Sequence, residues 1–198
     1  MDALLRPEIV AAALGFLYVV LVVRQSVWCW PAGLVSAGLY VLVFFQARLY
    51  GQTALQCVYV VLMAYGWHAW SRGGASGGRL EVSLAPRRWR AGLALGGAAF
   101  AALLGALLAQ GTDGAVPFWD AGTTSFSLVA QWMTARKWIE SWLVWIPVNA
   151  VYVGLYASQG LYWTAALYAA FLVLAVLGLL AWRRSLRAPT TASAPEAA

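Results

Sequence analysis

The chain has 198 residues, of which 63% are hydrophobic and only 10% charged, and it carries a net charge of +6. That composition excludes an ordinary soluble domain and points to a single membrane bundle with room for little else. The basic excess fits a topology signal better than nucleic-acid binding.

Seven apolar stretches follow in order, at 8–24, 28–46, 50–70, 91–109, 120–136, 138–157 and 160–182. Each is about long enough to cross a hydrocarbon core as a helix, the first and fifth being short. They are continuously apolar rather than alternating, which argues against membrane strands. The N-terminus does not resemble a cleaved signal, because Asp2 and Glu8 offset Arg6. Residues 71–90, with Gly73-Gly74, Gly77-Gly78 and the run Arg87, Arg88, Arg90, read as a flexible basic cytoplasmic linker. The stretch 91–109 is rich in Gly, Ala and Leu and reads as a connecting transmembrane helix. The tail 183–198 is rich in Ala, Pro and Thr and reads as disordered and cytoplasmic.

Residues 8–70 and 120–182 repeat one another at a fixed offset of 112. Arg24 matches Arg136, Trp30 matches Trp142, Tyr40 matches Tyr152, Gly66 matches Gly178 and Trp70 matches Trp182. A constant offset over such a span marks a duplicated unit. The expected fold is therefore all-α and integral to the membrane, with seven transmembrane helices. Two parallel three-helix repeats are joined by one linker helix, an arrangement in which transporters build a substrate site between the halves.

Orientation follows from the basic residues. Arg6 and Arg48 fall on one side. The remaining eleven of the 13 fall on the other: Arg24, Arg72, Arg79, Arg87, Arg88, Arg90, Arg136, Lys137, Arg183, Arg184 and Arg187. The positive-inside rule places the N-terminus outside and the C-terminus in the cytoplasm.

Reactive chemistry is scarce. His68 is the lone histidine, between Trp67 and Trp70, and Cys29 and Cys57 lie within apolar helices. No metal cluster, disulfide framework or cofactor motif can be drawn. Lys137 is the one lysine, so no Walker A motif exists, and no nucleophile-elbow serine has a histidine partner. An enzyme is a poor reading of this inventory.

The sixth stretch carries Trp138, Trp142, Trp145, Asn149, Tyr152 and Tyr156 at spacings of 4, 3, 4, 3 and 4, which is one helix face. Asn149 is costly near mid-span without a partner, and Pro147 frees a backbone carbonyl one turn earlier. The fifth stretch aligns Asp120, Thr124, Ser127 and Gln131. The third aligns Gln52, Gln56 and Tyr59, and the seventh presents Thr164 and Tyr168. Such stripes commonly serve helix packing and interhelical hydrogen bonds. Amides and hydroxyls converging with Trp and Tyr also suit a flat heteroaromatic ligand bearing a sugar or alcohol, more so if the ring is cationic. No acid lies at mid-depth, which favours facilitated diffusion over proton coupling. Glu140, three residues after Lys137, reads as its partner in a structural ion pair.

The runs "PFWD" (117–120), "TARKWIESWLVWIPVN" (134–149) and "GLYWTAALY" (160–168), with "LYGQTALQ" and "YGWHAW" in the first half, resemble the PnuC vitamin transporters. The resemblance extends from about Glu8 to Trp182. It implies a SWEET-like 3+1+3 plan, a homotrimer in the bacterial inner membrane, and import of nicotinamide riboside as a uniporter. A cytoplasmic kinase that phosphorylates the substrate would trap it. Thiamine, another vitamin with a cationic ring, is the alternative cargo, and a non-transporting membrane scaffold is the reading from another class.

Overall fold

The computed structural model describes residues 2–48, 50–73, 78–111 and 117–187. They form seven helices: α1 (Asp2–Val23), α2 (Cys29–Gln46), α3 (Tyr50–Arg72), α4 (Arg87–Gly111), α5 (Pro117–Ala135), α6 (Glu140–Ser158) and α7 (Tyr162–Arg187). One isolated bridge, Ser83 to Trp138, is the extended pairing seen among the described residues.

Helix ends are set by local chemistry. Pro117 opens α5, where its missing N–H costs nothing. α1, α5 and α6 are each followed by a residue of positive φ: Gln25 (56°), Lys137 (56°) and Gly160 (74°). The N–H after each reaches back five residues: Ser26 to Leu21, Trp138 to Met133 and Leu161 to Tyr156. This motif satisfies the last carbonyls of a helix. Arg48, after α2, has φ 58°. The offset of 112 maps Gln25 onto Lys137 and Arg48 onto Gly160, so the duplication reaches the backbone conformation of the turns. Only Gly160 escapes the Cβ penalty, about 1–2 kcal/mol per residue elsewhere.

Within each half the helices pack in sequence, α1 on α2 on α3 and α5 on α6 on α7. The halves meet along α3–α5 and α1–α7, and α4 lies against α5. Two glycines permit the close approach: a methyl at Gly66 would strike the Trp30 ring, and one at Gly178 the Trp142 ring. Trp30 meets Trp70 edge-on at 5.3 Å and 85°, and Trp142 meets Trp182 at 5.4 Å and 86°. Trp70 and Trp182 touch across the halves at 5.8 Å. With Cys29, Met63 and Ala175 they form the buried core.

The exterior is apolar. Leu95, Leu103 and Leu107 on α4, Val61 on α3 and Ile9 on α1 are all exposed, as lipid contact requires. Aromatic rings mark both rims: Trp28, Trp67 and Trp89 at the basic end, and Phe118, Trp119, Tyr162 and Trp163 at the other. α2, α4 and α7 are long and apolar enough to cross a membrane by length and composition, and the apolar part of α1, Pro7–Val23, is shorter. α3, α5 and α6 carry polar side chains that face the bundle interior. The chain is a seven-helix integral membrane protein.

Three expectations change. Arg87–Arg90 form the first turn of α4 after Pro86, instead of linker. Leu80–Ala85 is not loose: Ser83 exchanges hydrogen bonds with Lys137 and Ile139, and the Ala85 N–H donates to Glu140 at 2.9 Å. Glu140 pairs with Arg90 at 2.7 Å and not with Lys137. The i, i+3 rule fails there because Lys137, at positive φ, lies outside the helix that Glu140 begins. Gly74–Gly77 and residues 188–198 lie outside the described residues, as does the side chain of Asp120, while 183–187 continue α7.

Candidate functional site

A cavity of about 700 Å³ runs between the halves. Its mouth carries Glu8, Gln52 and Thr164, at the end opposite the basic loops, and its floor is made by Trp142, Thr134, Val22 and Ala175. Below the floor lie the buried rings of Trp30, Trp70 and Trp182. A separate cleft of about 340 Å³ at the basic end, between Trp28, Trp67 and Arg79, does not belong to this space.

The side chains singled out in the sequence converge here. Gln52, Gln56 and Tyr59 come from α3, and Thr124, Ser127 and Gln131 from α5. Trp142, Trp145, Asn149 and Tyr152 come from α6, and Tyr168 from α7. Trp138 does not join them. It precedes α6 and packs with Ala85 and Met133. Lys137 also lies outside the cavity.

Several of these groups are already partnered. Gln131, almost fully buried, donates to the Tyr18 hydroxyl at 2.9 Å and accepts from it at 3.1 Å. Ser127 hydrogen-bonds Tyr59 across the halves. The Asn149 amide nitrogen donates to the Trp145 carbonyl at 2.8 Å. That bond leaves the Asn149 side-chain oxygen as an acceptor at the cavity wall. The Trp145 indole N–H reaches the Thr134 hydroxyl at 3.3 Å. Nearer the mouth, Tyr152, Tyr156 and Tyr168 form a cluster with centroids 4.5–5.8 Å apart, and Tyr40 stacks on Phe44 at 5.4 Å.

The closed end is tied across the halves. The Trp70 indole N–H donates to the Thr134 carbonyl at 3.1 Å, and that of Trp182 to the Val22 carbonyl at 3.2 Å. Val22 and Thr134 are themselves 112 apart. Beneath, the Lys137 ammonium donates to the Leu80 carbonyl at 2.8 Å and lies 4.5 Å from the Trp70 ring centre. Burial lowers its pKa to about 8, a shift that Arg79 reinforces and Cys29 and Glu81 oppose.

Tyr18 and Thr134 were absent from the sequence-based site. Tyr18 had one available signal: it is the lone hydroxyl in the apolar run Ile9–Val23. Thr134 had one as well: three residues beyond Gln131, it continues the 4, 3, 4 spacing of the polar stripe on α5.

A cavity lined by aromatic rings, amides and hydroxyls between the halves of a duplicated seven-helix bundle is the arrangement of a membrane transporter of small molecules. Residues 7–184 match the family described as "Nicotinamide mononucleotide transporter", and the chain belongs to that family. It is 27% identical to the nicotinamide riboside transporter PnuC of Escherichia coli (strain K12), over 91% of this chain and 86% of that one. It is 31% identical to the riboflavin/roseoflavin transporter RibM of Streptomyces davaonensis, over 88% and 83%. Its fold is similar to the crystal structure of the vitamin B3 transporter PnuC, with a TM-score of 0.70 and 25% identity over 91% of this chain and 81% of that one. The resemblance read from the motifs is borne out. The protein is a multi-pass transporter of the bacterial inner membrane.

Proposed function

We propose that the chain imports nicotinamide riboside by facilitated diffusion, followed by trapping through a cytoplasmic kinase. The observation that carries this reading is the group at the base of the cavity: the Trp142 and Trp145 rings, with Asn149 one turn further along the same face of α6. Tryptophan faces attract a cationic pyridinium, and an amide oxygen accepts from a carboxamide or a ribose hydroxyl. Glu8 at the mouth adds a negative charge where a cation would enter. The described side chains place no carboxylate at mid-depth, which fits uncoupled transport. A phosphorylated product would not return through an aromatic wall without a cationic group. The N-terminus outside, the C-terminus in the cytoplasm and a homotrimeric assembly belong to the same reading.

A second cargo has support. The relative RibM is named for riboflavin, and a cavity of about 700 Å³ has room for a larger ring system. Thiamine shares the cationic ring. Calorimetric titration of the purified protein with nicotinamide riboside, thiamine and riboflavin side by side tests the assignment. Tightest binding of nicotinamide riboside supports it, and preference for either other vitamin replaces it.

A further inference from the structure

One residue in the last turn of α5 serves two tryptophans from different places. The Thr134 hydroxyl donates to the Ala130 carbonyl at 2.8 Å, and its oxygen accepts from the Trp145 indole at 3.3 Å. The carbonyl of the same residue accepts the Trp70 indole N–H at 3.1 Å and the Lys137 backbone N–H at 2.9 Å. Trp145 lines the cavity, while Trp70 belongs to the packed rings beneath it. Thr134 itself is 2% exposed, so its position is fixed by these contacts.

The first half lacks this link. The counterpart of Thr134 is Val22, which has no hydroxyl, and the counterpart of Trp145 is Gly33, which has no ring. The carbonyl half of the device is duplicated, since Trp182 caps Val22, but the hydroxyl half is not. A symmetric scaffold has thus gained a connection on one side only, at the base of the cavity.

We propose that Thr134 is the positioning residue through which the Trp145 ring and the closed end of the pathway move together. A ligand seated on Trp145 stretches or aligns a long hydrogen bond at the Thr134 hydroxyl. The backbone of that residue, in the final turn of α5, carries the displacement to the Trp70 indole. The connection is contiguous and made of two hydrogen bonds on one residue. It rests on the transport reading above.

The test uses full-length protein labelled with 5-fluorotryptophan. The Trp145 and Trp70 fluorine signals are assigned by Trp145→Phe and Trp70→Phe, and nicotinamide riboside is the probe. In the parent and in Thr134→Ser, which keeps the hydroxyl, the probe shifts both signals. In Thr134→Val the Trp145 signal is displaced before any probe is added, the Trp70 signal no longer responds, and affinity falls roughly 3- to 10-fold, the range of one hydrogen bond. Trp145→Phe keeps a ring but removes the same bond from the other side, and must also abolish the Trp70 response. This arm decides the matter if Thr134→Val does not fold. A Trp70 response that survives in either variant overturns the proposal, as does an unmoved Trp145 signal in ligand-free Thr134→Val. If the parent binds no nicotinamide riboside, the cargo assignment fails instead, and the ligand-free Trp145 signal still judges Thr134.

Discussion

Trp70 and Trp182, 112 positions apart, each cap the first helix of the opposite repeat. Trp70 donates to Thr134 on α5, and Trp182 donates to Val22 on α1. Both carbonyls already accept a backbone N–H, from Lys137 and Gln25 respectively. The indoles therefore supply the second donor that a buried helix end lacks. The frame of the closed end is duplicated faithfully, whereas the cavity wall is not. Against Ser127, Gln131, Trp145 and Asn149, the first half offers Gly15, Val19, Gly33 and Ala37. At these positions the polar and aromatic side chains belong to the second copy, while α3 of the first copy brings Gln52, Gln56 and Tyr59 to the same cavity.

The proposed contact with the Trp142 and Trp145 rings is tested on α6. Trp142→Ala or Trp145→Ala should weaken nicotinamide riboside binding by about 1–3 kcal/mol, the scale of a lost ring face and its cation–π attraction. Trp138→Ala, outside the cavity, should change it little. Calorimetry on folded protein checks both. Unchanged affinity in Trp145→Ala would return the stripe to a packing role.

Glu8 lines the mouth and not the base of the cavity. Glu8→Gln should slow association of a cationic vitamin roughly two- to fivefold at low salt and leave riboflavin unaffected. Stopped-flow tryptophan quenching at two ionic strengths reads this. An equal effect on the neutral and cationic vitamins would show that Glu8 acts by shape.

Lys137 gives a pH dependence with a definite sign. Its folded pKa, lowered by burial to about 8, lies below the ordinary lysine value of 10.5. Between those values the unfolded chain holds a proton that the folded protein has released, so stability rises with pH across that window. The cost of burying the charge is fully present below about pH 8. Thermal unfolding in detergent should show a midpoint that rises from about pH 8 to 10.5 relative to Lys137→Met. Parallel profiles for the two proteins would contradict it.

Orientation is tested independently. With eleven of 13 basic residues on one side, a C-terminal fluorescent reporter should be active and a C-terminal alkaline phosphatase silent. The opposite pattern would invert the bundle.

Much of this was legible in the sequence because helical period and a gapless duplication are local signals. The stripes Gln52–Gln56–Tyr59 and Trp142–Trp145–Asn149 needed only a spacing of three or four, and all of them face the cavity. What escaped was pairing between halves. Nothing along the chain joins Tyr18 to Gln131, or Trp70 to the carbonyl of Thr134, because packing alone sets those contacts. The partner of Glu140 was misread for a related reason. The spacing rule presumes an unbroken helix, and the left-handed turn at Lys137 breaks it. Arg90, 50 positions away, takes its place.

The most direct measurement is uptake of labelled nicotinamide riboside into liposomes that contain the purified protein and no kinase. Uptake should stop when internal and external concentrations are equal. An imposed proton or sodium gradient should leave that endpoint unchanged, and enclosing a phosphorylating kinase with ATP should raise total internal label above it. Accumulation above equality driven by a proton gradient alone would contradict the account and make Glu8 a candidate titrating group.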